Sequence, residues 1–547
     1  MAPYRKLSLP LMFLAMLTAA SAHADAGPRV TTAEGTVEGV IANGANQFLG
    51  IPYAEPPVGN LRWRPAVLHA PWKGVLKAIA YAPICAQGSL GPFSGPPNSN
   101  EDCLYLNVFT PINPPAREKL PVIFWIYGGG DSWGETPGYD GSKLAAQGNT
   151  VVVTVGYRLN VFGFFAHPAI DKEGHLAVNY GLTDQLAGLR WVQRNIGYFG
   201  GDKNNVTISG QSVGAEDVGM HMVSPLAKGL FHKAICMSAC PSTVFGGTIS
   251  TMAAAETKGI TFSVAAGCGA GTDATTAKCL RSLPAAQVEA LAGSGSSGIV
   301  MDGTMLPNQP LIALIQGQFN HVPLMNGNTR DEENFFLGLT EYNSSTVNAD
   351  RTPPTAAQYL NFVNTFYVPP TYPAGTAARV LARYPLSAYP SPQLAWNAAA
   401  KNGDSFLCAG QQTDRVLASQ IPVYAYEFDD RTAPSYFPQM PGFVPLAYHT
   451  ADLQYVFPLW HGGPTGIEHP LNREQEMLSD ELVAAWTNFA WTGNPNGHGS
   501  GSWPLYQGNA GSPAFLSEET PALSTLTNAQ YSSRHMCNFW DALYPLP

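Results

Sequence analysis

Between residues 120 and 330, short apolar runs alternate with stretches whose apolar residues recur at helical spacing. "LPVIFWIYGGG" predicts a strand over Val122–Ile126, rich in β-branched and aromatic residues and stopped by a glycine run. "TVVVTVGYR" predicts a second strand over Thr150–Arg158. It lacks polar alternation, as suits a sheet covered on both faces and hence parallel. Leu182, Leu186, Leu189, Val192 and Ile196 fall on one face of a helix, with Gly200-Gly201 as its stop. "NNVTISG", "KAICMSA" and "VPLMNGN" predict further strands, and "AEDVGMHMV" the start of a helix. Strand and helix in alternation imply an α/β fold, a mostly parallel central sheet with helices on both faces. Residues 340–415 differ, being Pro-rich and helical in pattern, and are expected to form a cap-like insertion over the sheet. "IPVYAYEF" (Ile421–Phe428) returns to strand, and Leu478–Gly493 reads as a late helix. With no repeat or linker to divide it, the chain is expected to form one unit over residues 25–547.

Composition narrows the function classes. Hydrophobic residues make up 45% of the 547-residue chain and charged residues only 12%, about half the usual ~25%. A net charge of −10 without any basic cluster argues against a nucleic-acid partner. Arg5 and Lys6, the apolar stretch Leu7–Ala20 and the small-residue site Ala22-His23-Ala24 predict a signal peptide over residues 1–24 and export to the periplasm or the medium. That apolar stretch falls short of the about 18 residues a membrane anchor needs, so no stable anchor is expected. Export permits disulfides among Cys85, Cys103, Cys236, Cys240, Cys268, Cys279, Cys408 and Cys537, and spacing alone does not set the pairing. No CxxC pair or Cys/His cluster points to a metal, and no cofactor is expected.

Two segments match G-x-S-x-G, a pattern that places a nucleophilic serine: Gly130–Gly134 around Ser132, and Gly210–Gly214 around Ser212. The match alone is weak in a chain with 55 glycines. The chemistry requires a strand, a tight turn and then a helix, which lifts the serine Oγ above the sheet and aims helix amides at a developing oxyanion. Ser212 has that setting, with "VTIS" before it and "VGAEDVGMHMV" after. Ser132 is followed by "WGETPGYDG", too rich in Gly and Pro to open a helix. The earlier stretch fits a different part: Tyr127-Gly128-Gly129-Gly130 resembles the HGGG-type run that supplies the second oxyanion donor.

The chain order serine, acid, histidine leaves Asp331, Glu332 and Glu333 as acids and His449, His461, His469, His498 and His535 as bases. His449, in "YHTADLQYVF", is favoured as a loop residue on the sheet side, just before a β-rich run. His461 and His469 lie in "WHGGPTGIEHP", with no flanking strand to hold them.

These residues lie within a longer resemblance. "FLGIPYAEPPVGNLRW", "NEDCLYLNVFTP", "WIYGGG", "VGYRLNVFGFF", "ISGQSVGAED", "GNTRDEENFF", "HTADLQYVF" and "WTNFAWTGNPN" together resemble the type-B carboxylesterase/cholinesterase family of α/β-hydrolases, nearly end to end. The resemblance implies Ser212 as nucleophile, Glu332 as acid and His449 as base, with the amides of Gly129, Gly130 and Val213 as oxyanion donors. It implies a small-molecule ester substrate and disulfides Cys85–Cys103, Cys268–Cys279 and Cys408–Cys537. Gln211, Asp452 and Ser238 align with a polar network behind the family's triad. A histidine base loses its function below about pH 6–7, where the rate is expected to fall.

The departures carry information. Gln211 stands where many relatives have glutamate, and "AQGSLGPFSGPPNSNED" lacks the tryptophan with which cholinesterases hold a quaternary ammonium. Choline esters are therefore not expected. Asp131 follows the glycines where relatives carry an aromatic residue, and is expected to be tied to a donor in its own loop. Cys236 and Cys240 match no family bridge; in an extended segment they are too far apart to join, so two buried thiols are expected. Phe335, Phe336, Tyr436, Phe437 and Phe443 fit either a pocket for a bulky or aromatic ester or the core of the cap. Amide hydrolysis, acyl transfer or lipase action would use the same residues. A non-catalytic adhesion relative is disfavoured because every triad position is filled.

Overall fold

The structure is a computed structural model that describes residues 27–89, 97–115, 118–176, 178–240, 249–296, 298–343, 351–438, 440–463 and 466–546. The expected signal peptide lies outside the described residues.

The apolar runs become one 11-stranded sheet. In chain order its strands are β1 (Val40–Ala42), β2 (Ala45–Pro52), β3 (Tyr105–Pro111), β4 (Leu120–Ile126), β5 (Val151–Val155), β6 (Gly201–Gln211), β7 (Lys233–Met237), β8 (Leu324–Thr329), β9 (Val423–Phe428), β10 (Pro513–Glu518) and β11 (Ser524–Thr527). Across the sheet they lie in the order β1-β2-β3-β5-β4-β6-β7-β8-β9-β10-β11. Pairing is parallel from β5 to β10 and antiparallel toward both edges. Every residue of β4, β5, β7, β8 and β9 is buried, which is why these runs show no polar alternation.

The helices are named α1 (Ser142–Gly148), α2 (Tyr180–Asn195), α3 (Val213–Val223), α4 (Glu333–Asn343), α5 (Ala356–Phe366), α6 (Thr376–Arg383), α7 (Pro392–Ala399), α8 (Asp404–Ala418), α9 (Leu453–Val456), α10 (Arg473–Thr492), α11 (Asn528–Arg534) and α12 (Cys537–Leu543). Leu182, Leu186, Leu189 and Val192 of α2 are buried, as their spacing requires. The chain then tightens into a 3-10 turn and stops at Gly200, whose φ of 84° suits glycine. Helices α4 to α8 occupy the segment expected to be helical. Its last member, α8, packs against β8 and β9 of the sheet. After His449 comes helix α9 instead of a β-rich run, because a short apolar stretch has no period that separates strand from helix. Among the described residues no helix is long and apolar enough to cross a membrane.

Cys85–Cys103, Cys268–Cys279 and Cys408–Cys537 are bonded. Cys236 and Cys240 are also paired, which corrects the expectation of two thiols. The extended run ends at Met237, and Ser238 and Ala239 take positive φ values of 55° and 133°. The chain folds back and brings the two Cα atoms to 5.2 Å, a span a bridge can close.

Candidate active site

Ser212 sits between β6 and α3 with φ 57° and ψ −133°, a conformation a non-glycine residue holds only when its surroundings fix it. Its N–H donates to the Met237 carbonyl of β7 at 2.9 Å. The flanking glycines are sterically necessary. A Cβ on Gly210 would lie 2.3 Å from the Gly214 carbonyl oxygen, and one on Gly214 would lie 2.2 Å from that of Ile126.

The second glycine run leaves β4 and passes over this bend. A Cβ on Gly128 would lie 2.5 Å from the Gln211 carbonyl oxygen and 2.8 Å from the Ser212 Cβ. Gly129 and Gly130 have φ values of 116° and 64°, and the Gly129 carbonyl accepts from the amides of Ser132 and Trp133. That turn closes the loop on itself, so Ser132 caps a turn and heads no helix. Its hydroxyl donates to the Gly130 carbonyl at 3.1 Å.

Just past the end of β8, Glu332 is fully buried. One carboxylate oxygen accepts from the Thr329 amide at 2.7 Å and the other is hydrogen-bonded to His449 Nδ1. The two neighbouring acids turn elsewhere. Asp331 accepts two bonds from Arg431, and Glu333 accepts from Asn402. The Phe335 and Phe336 rings flank the imidazole, with centroids 5.6 and 5.2 Å away. A proton on Nδ1 facing Glu332 leaves the Nε2 lone pair directed away from it. Nε2 accepts from Gln211 Nε2 at 3.2 Å, and no hydrogen bond joins it to the Ser212 hydroxyl. His535 belongs to another cluster, between Asp404 and Glu427.

Ser212, His449, Gly129, Gly130 and Val213 share one cavity of about 440 Å³. Its wall also carries Trp133, Tyr139, Phe335, Phe336, Tyr436 and Trp460. Of the aromatics singled out in the sequence, Phe335, Phe336 and Tyr436 line it, while Phe437 and Phe443 pack behind. Trp133, Trp460, Glu135 and Glu216 were not singled out. Glu216 was within reach of helical spacing, since it stands one turn beyond Ser212 on α3.

No direct hydrogen bond joins Gln211, Ser238 and Asp452: Gln211 turns its amide to His449, while Ser238 Oγ and both Asp452 oxygens lack partners among the described residues. Burial, with the Glu332 charge beside it, raises Asp452 to about 8. Asp131 overturns the expectation of a donor in its loop. Its side chain is buried and Oδ1 has no partner among the described residues. Burial, then the nearby Asp217 and Glu216 carboxylates, push it well above the usual carboxylate range. It therefore keeps its proton to higher pH than an ordinary carboxylate, which lessens its conflict with an oxyanion. Among the described residues no group of three or more His, Cys, Asp or Glu could hold a metal ion.

The carboxylesterase family model matches residues 26–540. The medium-chain fatty acyl-CoA hydrolase precursor of Anas platyrhynchos is 34% identical over 533 residues, 92% of each chain. Carboxylesterase 1E of Mus musculus is 32% identical, again over 92% of each. Among solved structures, a thermophilic PNB esterase superposes with a TM-score of 0.73 at 30% identity, over 93% of this chain and 99% of its own. A second PNB esterase gives 0.71 at 29%, over 94% and 99%. Matched over more than nine-tenths of its length in sequence and fold, the chain belongs to the carboxylesterase family and is a serine hydrolase acting on ester bonds.

Proposed function

We propose that Ser212, His449 and Glu332 form the catalytic triad of an exported carboxylesterase that works through an acyl-enzyme. The observation that carries this is the His449 Nδ1–Glu332 bond at the wall of the cavity that holds Ser212. It fixes the tautomer whose Nε2 can take a proton. Substrate binding turns the Ser212 hydroxyl to Nε2 in place of the Gln211 amide, since catalytic hydrogen bonds often tighten only in the complex. Oγ attacks the ester carbonyl as its proton passes to His449, and Glu332 stabilises the imidazolium. The amides of Gly129, Gly130 and Val213 receive the oxyanion, each such donor contributing about 3 kcal/mol to the transition state. The alcohol leaves with the proton from Nε2, and water repeats the steps on the acyl-enzyme to release the acid.

Ser212→Ala is expected to lower kcat on a para-nitrophenyl ester by about 10⁴-fold or more. A fluorophosphonate should label Ser212 alone. Labelling at Ser132, or full turnover by the variant, would remove the proposal. Export is tested separately: the mature protein should begin near Asp25, and an intact Met1 in the exported fraction contradicts cleavage.

A further inference from the structure

Glu216 has no part in the chemistry above, yet it lines the cavity. It stands one turn after Ser212 on α3, about 6 Å along the helix axis, in the cavity that Phe335, Phe336 and Leu339 also line. Its carboxyl makes no hydrogen bond among the described residues. Glu135 is the other carboxylate lining this cavity, and no Lys or Arg is among the lining residues. Glu216 is only part-buried and faces the cavity, so a cost arises when a bound ligand displaces water from its carboxyl without supplying a donor. Such a site therefore separates substrates far more sharply than an apolar pocket, which distinguishes one methylene from none only weakly.

We propose that Glu216 is a specificity-determining residue, selecting esters that carry a hydrogen-bond donor, a hydroxyl or an ammonium, on the arm lying against α3, one aromatic ring's length from the reacting carbonyl. The proposal rests on the Ser212 reading. The charged groups around Glu216 are Lys401, and Asp131 and Asp217 on the side of the glycine loop. Burial raises Glu216 to about 7, with Lys401 drawing it back. Below that pH it is a neutral acid, and above it a carboxylate that favours a cation.

The test uses para-nitrophenyl esters of benzoate, para-hydroxybenzoate and para-aminomethylbenzoate, with the matching benzyl acetates placing the same groups on the alcohol. Each kcat/KM is divided by that of the unsubstituted ester, and the quotient for wild type by that for Glu216→Leu. This double ratio removes the electronic effect of the substituent and any general change in the variant. On one arm it should reach about 10- to 100-fold. The ammonium ratio should grow from about pH 6 to about pH 8, while the hydroxyl ratio holds at both. Glu216→Gln should keep the hydroxyl preference and lose the ammonium one. Double ratios near one for both groups on both arms overturn the proposal. Turnover of the unsubstituted esters by the Glu216 variants, and its loss in Ser212→Ala, separates that outcome from a failure of the triad.

Discussion

At the scale of single residues, the site is set by which polar groups carry charge. Gln211 offers a neutral amide to the imidazole. Gln211→Glu would put a carboxylate there and favour the protonated imidazole. The acid limb of kcat/KM should then move up by about one pH unit; an unmoved limb means the side chain at 211 does not face the working base. Asp131 has a raised pKa, so it is neutral at low pH and charged at high pH. Its ionisation sets negative charge beside amides meant for an oxyanion. Asp131→Asn should match wild type at the acidic end of the profile, where Asp131 is protonated, and keep its rate as pH rises, where wild type declines by at most the ~3 kcal/mol of one lost donor. Superimposable profiles would leave Asp131 with a packing role only. Ser212 was legible because its chemistry demands a local pattern of strand, bend and helix. The state of Asp131 was not, because it depends first on burial and then on Asp217 and Glu216, which only the fold brings around it.

At the scale of elements, the site depends on two glycine-bearing segments pressed together, the loop after β4 and the bend after β6. A methyl group on Gly128 would meet backbone and Cβ atoms that cannot step aside. Gly128→Ala should therefore spread loop from bend and lower kcat by about 10²- to 10³-fold, with the circular dichroism spectrum unchanged. Unaltered kinetics would mean that the close approach is not needed. Strands with long apolar runs and the helix with Leu182, Leu186 and Leu189 were readable because one period dominates each. Leu453–Val456 was not, since a stretch of four residues fits either period. The Cys236–Cys240 bridge was hidden for a related reason: the reversal is made by Ser238 and Ala239, whose positive φ no sequence rule assigns to those residue types.

At the scale of the whole molecule, the C-terminal helices are fastened to the sheet by chemistry remote from the site. Cys408–Cys537 joins α8 to α12. His535, just after α11, is buried between Asp404 of α8, at 3.0 Å, and Glu427 of β9. Arg534 reaches the same Glu427 and also Asp429, the latter at 2.7 Å. Burial alone would lower the imidazole pKa, but the Glu427 charge and the bonds to both carboxylates raise it to about 9. A histidine normally near 6.5 that is raised on folding adds stability fully present below that value and lost as pH climbs through about 9. The shift corresponds to about 3 kcal/mol. His535→Gln should therefore unfold at clearly lower urea than wild type near pH 6, and the gap should shrink steadily toward pH 9 and above. Because the comparison is between two proteins at each pH, other groups that titrate in this window cancel. A gap that stays constant with pH would mean His535 acts by shape alone. The fastening would then rest on the disulfide and Arg534.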